Sequence, residues 1–367
     1  MINTLIVDDS ALARDIIRDF LEADRDFRII GEAADGEEAV QKILSMNPDL
    51  VTLDLEMPKK NGLEVIEEVM KKTSVPIVVI SSHDTAKTAY EATLRGALEF
   101  YSKNTFSASL APGKQQAIYE TLKRISGIKV RIIPALEEKA FPGQSGYAAE
   151  PGSFSGESIG SIQPKKEIRA IVIASSTGGP KALSQFFTAL PGDFRIPIII
   201  VQHNSSGFDE SFAQWLGMFT HLKVKVAEEG EIPGPGTVYI AKTDMHLTVQ
   251  PEDGQVCRLS YNDDEPENNQ KPAADVLFRT AAESLKQAVV SVVLTGMGSD
   301  GAAGTQKIHE KGGITLAQDE ESSLIYGMPK AAAETGCVDM VLPLIKIPEE
   351  LVLLSTGSQL STGKHIS

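Results

Sequence analysis

The sequence predicts two doubly wound α/β domains, each a parallel sheet with helices on both faces. Three observations carry that expectation. Short apolar, largely β-branched runs alternate with stretches of helical spacing at both ends of the chain. A Pro-, Gly- and Ser-rich segment separates the two ends. The 367 residues are enough for two hydrophobic cores.

In the first part, Thr4 to Val7, Phe27 to Ile30, Leu50 to Leu53, Ile77 to Ile80 and Ala97 to Phe100 read as five strands. Ala11 to Glu22 and Gly36 to Met46 carry helical spacing, and a helix over Lys114 to Ile125 closes a domain of residues 1–126. Residues 127–167, with Pro134, Pro142, Gly143, Pro151 and Gly152, read as a flexible, solvated linker in which Arg131-Ile132-Ile133 packs locally. The second domain covers 168–354. Its strands include Ile171 to Ala174, Ile196 to Val201, Thr237 to Ile240 and Ala288 to Leu294. Residues 355–367 read as a frayed polar tail.

Composition narrows the function classes. A net charge of −15 disfavours nucleic acid and acidic membrane surfaces as partners. No apolar run approaches the roughly 20 residues a membrane span needs, so no membrane insertion is expected. The N-terminus lacks a basic n-region and an apolar h-region, which points to a cytoplasmic location. Cys257 and Cys337 have no metal-ligand spacing and read as two buried thiols.

The first domain places polar residues at successive strand ends. Asp8 and Asp9 follow the first strand, Asp54 the third, Ser81 ends the fourth, and Lys103 follows the fifth. In a doubly wound sheet these ends open onto one crevice. Three carboxylates there repel one another unless a cation intervenes, and oxygen ligands suit Mg²⁺. Taken singly, Asp9 or Ser10 reads equally well as a helix N-cap and Lys103 as a surface lysine.

Together, Val7-Asp8-Asp9-Ser10, Asp54-Leu55-Glu56-Met57-Pro58, Gly62-Leu63, Ser81 and Lys103 resemble the receiver domain of two-component response regulators. The resemblance implies a flavodoxin-like fold in which Asp54 accepts a phosphoryl group from a histidine kinase. It implies Mg²⁺ held by Asp8, Asp9, Asp54 and the Glu56 carbonyl. Ser81 and Lys103 would approach the new phosphate, and Phe100 would be the rotating aromatic. Two positions depart from the pattern: Asn104 follows Lys103 where receivers usually carry Pro, and Asn61 stands where Asp is commoner.

In the second domain the run Ile171-Val172-Ile173-Ala174 stops at Ser175-Ser176-Thr177-Gly178-Gly179-Pro180. This is a strand-to-helix turn, whose amides and helix dipole stabilise negative charge. It suits a serine nucleophile or an anion-binding turn. Two further strands lead into Gln202-His203-Asn204 and into Thr295-Gly296-Met297-Gly298-Ser299-Asp300-Gly301. Ser176, His203 and Asp300 on one sheet edge would form the groups for acyl transfer. His203 would be the base and Asp300 its orienter, with amides around Thr177 and Met297 facing the oxyanion. His203 reads alternatively as a structural histidine, and Asp300 as the N-cap of a helix over Ala302 to Glu310. His221, His246 and His309 compete for the base role from helical or surface-strand positions.

These stretches, with Gly207-Phe208, Pro233-Gly234, Tyr239-Ile240-Ala241, Asp275-Val276-Leu277-Phe278 and Tyr326-Gly327-Met328-Pro329, resemble the catalytic domain of chemotaxis receptor methylesterases. The resemblance implies a Rossmann-like domain with Ser176, rather than Ser175, as nucleophile. It implies phosphorylation-activated hydrolysis of glutamate methyl esters on chemoreceptors, releasing methanol, together with deamidation of receptor glutamines. The implied partners are methyl-accepting chemoreceptors and a chemotaxis histidine kinase, with no cofactor for ester hydrolysis. This chain reads Ala174-Ser175 where the family usually has Gly-Ala. The rival reading is a non-catalytic module that binds a partner or nucleotide through the same turn. The chain carries neither GxGxxG nor GxxxxGK[ST] to favour a nucleotide.

Overall fold

The computed structural model describes residues 1–81, 86–106, 112–128, 167–204, 207–252 and 257–356. The chain divides into two compact units, Met1–Ile133 and Pro134–Ser367.

The first unit runs β1 (Ile2–Val7), α1 (Ala11–Glu22), β2 (Phe27–Ala33), α2 (Gly36–Met46), β3 (Leu50–Leu53), α3 (Gly62–Met70), β4 (Ile77–Ser81), α4 (Ala86–Arg95), β5 (Glu99–Ser102) and α5 (Pro112–Ser126). Its sheet is parallel in the order β2-β1-β3-β4-β5. The order reverses between β1 and β3, so the crevice opens at their C-terminal ends. Strands β3 and β4 are buried along their whole length, which explains their unbroken apolar runs. Ser10 caps α1 through the Ala13 amide. Asn61 and Glu64 form a reciprocal capping box at α3, a structural use for the asparagine that departs from the receiver pattern.

The fifth strand lies two residues beyond its predicted place. Ala97 and Leu98 are buried in the turn that enters β5, with the Leu98 amide bonded to the Ile77 carbonyl at 2.8 Å. Burial of that entry turn mimics a strand in the sequence pattern.

The second unit runs β6 (Ala170–Ser175), α6 (Gly179–Ala189), β7 (Ile198–Gln202), α7 (Asp209–Leu216), β8 (Lys223–Val226), β9 (Thr237–Ile240), β10 (His246–Pro251), β11 (Cys257–Asn262), α8 (Ala274–Leu285), β12 (Val289–Val293), α9 (Ala302–Glu310), β13 (Ile314–Gln318), α10 (Met328–Glu334), β14 (Met340–Leu342) and α11 (Lys346–Thr356). Seven strands form a parallel sheet in the order β14-β13-β12-β6-β7-β9-β8. Here the reversal falls at β6, between β7 and β12. One core packs Val172, Ala174, Ile199 and Val201 against Leu277 and Phe278 of α8 and Leu247 and Leu259 of a hairpin. Each buried Val, Ile, Leu or Phe among them contributes about 1.5–3 kcal/mol.

Several predicted boundaries and placements shift. Strand β7 begins at Ile198, because Pro197 has no amide to give and only its carbonyl joins the ladder, accepting from Ile171 at 3.0 Å. The hairpin β10–β11 is antiparallel and stands outside the large sheet, a departure from uniform doubly wound winding. Helix α11 continues through Thr356, so Ser355 and Thr356 belong to its last turn rather than to a frayed tail. Cys257 is buried, but Cys337 is only partly so. The predicted linker from residue 129 to 166 and the tail beyond 356 lie outside the described residues. Among the described residues, no helix is long and apolar enough to cross a membrane.

Candidate active site

Three neighbouring strand ends build the site of the second unit. The β6–β7 register pairs Ser175 with Gln202, so Ser176 and His203 are the first residues beyond the ends of adjacent strands. The ladder continues past both ends: the His203 amide donates to the Ser175 carbonyl at 3.1 Å, and the Ser176 amide to the Thr295 carbonyl at 3.1 Å. The nucleophile candidate is thereby stitched between β7 and the loop after β12. The turn closes with the Gly179 amide on the Ser176 carbonyl at 2.7 Å, and Gly178 takes φ 79°, which favours glycine.

Close approach on the other side requires Gly296. A Cβ there would lie 2.8 Å from Ser176 Cβ and would also collide with Met328 Sδ. Ser176 is 9% exposed and the His203 side chain 7%. His203 Nε2 lies 2.9 Å from Asp300 Oδ2. Its Nδ1 is buried and has no hydrogen-bond partner among the described residues.

Asp300 does not cap its own helix. Gly301, at φ 92°, is the N-cap of α9. The carboxylate instead accepts from the first two amides of α8, Ala274 at 2.7 Å and Asp275 at 3.0 Å. It also accepts from Gly301 N at 3.1 Å and Asn268 Nδ2 at 3.2 Å. Burial alone would raise the Asp300 carboxyl; the bonds from His203 and the α8 amides outweigh it and hold the group below its ordinary value. An ionised carboxylate at a helix N-terminus is also favoured by the dipole.

The competing histidines are otherwise employed or remote in character. His246 is fully buried, contrary to its predicted surface-strand position, with Nδ1 accepting from Ala273 N and Nε2 3.1 Å from the Glu265 carbonyl. His221 is exposed, and His309 lies on α9 with Nδ1 3.6 Å from Asp339. Ser175 ends β6, buried, its hydroxyl donating to Gln202 Oε1 at 2.7 Å. The Gln202 amide nitrogen donates in turn to the Ser176 and His203 carbonyls at 3.0 and 2.9 Å. Sequence reasoning quoted Gln202 only as a motif letter. Its bridging role depends on cross-strand register, which no local pattern carries.

The first unit gathers its own set. Oxygens of Asp8, Asp9 and Asp54 lie within 4.8 Å of one another. Lys103 Nζ lies 2.6 Å from Asp8 Oδ2 and 2.8 Å from Asp54 Oδ2. Asn104, within a short 3-10 turn from Lys103 to Phe106, therefore leaves the lysine on the acids. Burial pushes the Asp8 carboxyl up, only partly opposed by Lys103 and the Ser10 amide. Burial would pull the Lys103 ammonium down, yet Asp54 and Asp8 hold it above its ordinary value. Ser81 is buried at the end of β4, and Phe100 is buried on β5. Glu56 is exposed just after Asp54. A donor set made of carboxylate oxygens fits a hard divalent cation.

Residues 171–351 match the family described as CheB methylesterase, and residues 4–111 match the response regulator receiver domain. The chain is 37% identical over 374 residues to a protein-glutamate methylesterase/protein-glutamine glutaminase of Pyrococcus horikoshii, covering 100% of this chain and 97% of that one. A Thermotoga maritima protein of the same name is 37% identical over 359 residues, covering 96% and 98%. The crystal structure of the Thermotoga maritima CheB methylesterase catalytic domain is 42% identical, with a TM-score of 0.50, and covers 52% of this chain and 100% of that one. With an acid pocket at the β1/β3 crevice of one unit and a serine turn at the β6 switch point of the other, the chain belongs to the CheB methylesterase family and carries a receiver domain.

Proposed function

We propose that the protein hydrolyses glutamate methyl esters of chemoreceptors, and deamidates receptor glutamines, under control of phosphorylation at Asp54. The observation that carries the catalytic part is the 2.9 Å contact of His203 with Asp300, which leaves the other ring nitrogen buried and without a partner among the described residues, at the strand end next to that of Ser176. In this reading Ser176 Oγ attacks the ester carbonyl while His203 Nδ1 takes its proton. The same imidazolium then protonates the departing methoxide, and methanol leaves. Water, deprotonated by His203, hydrolyses the acyl-enzyme and regenerates the receptor glutamate. With a glutamine substrate ammonia leaves instead, through the same acyl-enzyme.

Asp300 fixes the imidazole tautomer by accepting from Nε2–H and stabilises the charged form. Its amide donors keep it ionised throughout. The Thr177 and Met297 amides serve the oxyanion in this reading. Among the described residues neither amide takes part in the backbone bonds that engage Ser176, Gly179 and Gly296, which supports that use.

In the receiver, Asp54 accepts a phosphoryl group from a histidine kinase. Asp8, Asp9, Asp54 and the Glu56 carbonyl would hold Mg²⁺, which when bound offsets charge on the transferring group. Lys103, already on both acids, is placed to follow charge onto the phosphate, with Ser81 and Phe100 as its switch partners. In this reading the receiver, carried on the same chain as the catalytic unit, acts on it at high effective concentration. A tenfold gate needs a bias of only about 1.4 kcal/mol between two states.

Covalent labelling of Ser176 by a serine-reactive fluorophosphonate separates this enzyme from a binding module. Labelling that maps to Ser176 and is lost in His203→Ala supports the reading. A chain that stays unlabelled while folded rejects it.

A further inference from the structure

The orienting carboxylate has an exposed neighbour that the reaction scheme above does not use. Asn268 and Asn269, both left-handed at φ 54° and 60°, form a tight turn closed by reciprocal bonds between Glu267 and Gln270. Arg279 of α8 holds the turn down through a bidentate pair with Glu267, at 2.7 and 2.8 Å. The turn delivers Asn268 Nδ2 to two acids at once: Asp275 Oδ2 at 2.7 Å and Asp300 Oδ1 at 3.2 Å. Both acceptors are carboxylates, so the side chain must present its NH₂ end, with one hydrogen for each.

Without that donor the two acids would confront each other. Asp275 is 3% exposed and Asp300 2%. Among the described residues, the other bond to the Asp275 side chain comes from the Gly304 amide to Oδ1 at 2.6 Å. Burial raises the Asp275 carboxyl, and the Asp300 charge adds to that push. The charged and titratable groups facing the pair are His203 at the end of β7, Asp275 and Arg279 on α8, and Glu267 in the turn. His246 on β10 lies next to Glu267.

We propose that Asn268 is a positioning residue that sets the proton affinity of His203, by sharing one amide between Asp275 and Asp300. This rests on the Ser176–His203–Asp300 reading for its effect on rate, but not for its effect on His203 itself. Removing the amide leaves more negative charge on Asp300 Oδ1, and the imidazole opposite holds its proton to higher pH. An added carboxylate at 268 strengthens the same effect.

The test uses Asn268→Gly and Asn268→Asp in the full chain, since Gly and Asp both accept a left-handed backbone. His203 is titrated by NMR, and methanol release from methylated receptor membranes is followed against pH. The expected order of His203 titration is wild type, then Gly, then Asp, with steps of roughly half a unit to one unit. Near neutral pH, kcat/KM in Asn268→Gly falls by at most about three- to tenfold, the factor by which such a step reduces the neutral imidazole, and recovers as pH rises. If His203 titrates alike in all three proteins, Asn268 is only a loop residue and the proposal is wrong, whatever happens to rate. If wild type releases no methanol, the esterase reading fails, while the NMR order still decides the role of Asn268.

Discussion

Asp300 reaches His203 Nε2 at 2.9 Å with the same oxygen that accepts the Ala274 amide at the start of α8. A helix N-terminus is thus linked through one carboxylate to the imidazole at the end of β7. Asp300→Asn swaps an ionised acceptor for an amide and loses control of the tautomer. We expect methanol release to fall by about 10⁴-fold, the size of the loss when a triad aspartate is neutralised. Steady-state assays on folded protein check this, and a loss below tenfold would remove Asp300 from the mechanism.

Ser175 and Ser176 are adjacent hydroxyls with different employment. Ser176→Ala should abolish methanol release, leaving only binding and oxyanion effects. Ser175→Ala removes one bond to Gln202, worth about 1 kcal/mol, so activity should stay within roughly tenfold of wild type. Burst-phase assays on both variants distinguish them, and the reverse ranking would reassign the nucleophile.

Gly296→Ala tests the stitching of β6 to the loop after β12. The added methyl would sit 2.8 Å from Ser176 Cβ and against Met328 Sδ. Overpacking of this kind costs about 1–3 kcal/mol. We expect the chain to fold and the serine turn to shift, so kcat falls by more than stability alone explains. Normal kcat in a folded Gly296→Ala protein would show the turn to be more yielding than drawn here.

Legibility in the sequence followed how local each constraint is. The parallel strands β1, β3, β4 and β6 read clearly because their burial on both faces leaves continuous β-branched runs. The strand-end positions of Asp8, Asp54 and Ser176 follow from those runs, and those of His203 and of the loop that carries Asp300 from the runs of β7 and β12. Asn268 did not, because its partners, Asp275 and Asp300, lie 7 and 32 residues away and meet it only through tertiary packing. Its Asn-Asn doublet marks a turn and says nothing of what the turn faces. The Asp300 side chain misled in a similar way. Its sequence position suits a cap for α9, yet Gly301 takes that place and the carboxylate caps α8.

Glu99 offers a pH test of the receiver. It is partly buried on β5, and burial pushes its carboxyl up to about 7 from an ordinary 4.5, against one bond from the Phe100 amide. A raised carboxyl means the folded state holds the proton longer than the unfolded state does. Stability is therefore full below about 4.5 and declines as pH rises to about 7. Glu99→Gln should stabilise the receiver at pH near 8 by at most about 3 kcal/mol, reduced by solvent screening, and change little near pH 4. Hydrogen exchange of β4 and β5 amides reads this, and equal protection at both pH values would contradict it.

Phosphorylation control is the central claim, and one assay addresses it directly. Methanol release from methylated receptor membranes is measured with the full chain, with and without a small-molecule phosphodonor and Mg²⁺, alongside Asp54→Asn. The phosphodonor is expected to raise the rate severalfold or more in wild type and to leave Asp54→Asn at its basal rate. An equal rise in Asp54→Asn, or no response in wild type, would contradict it.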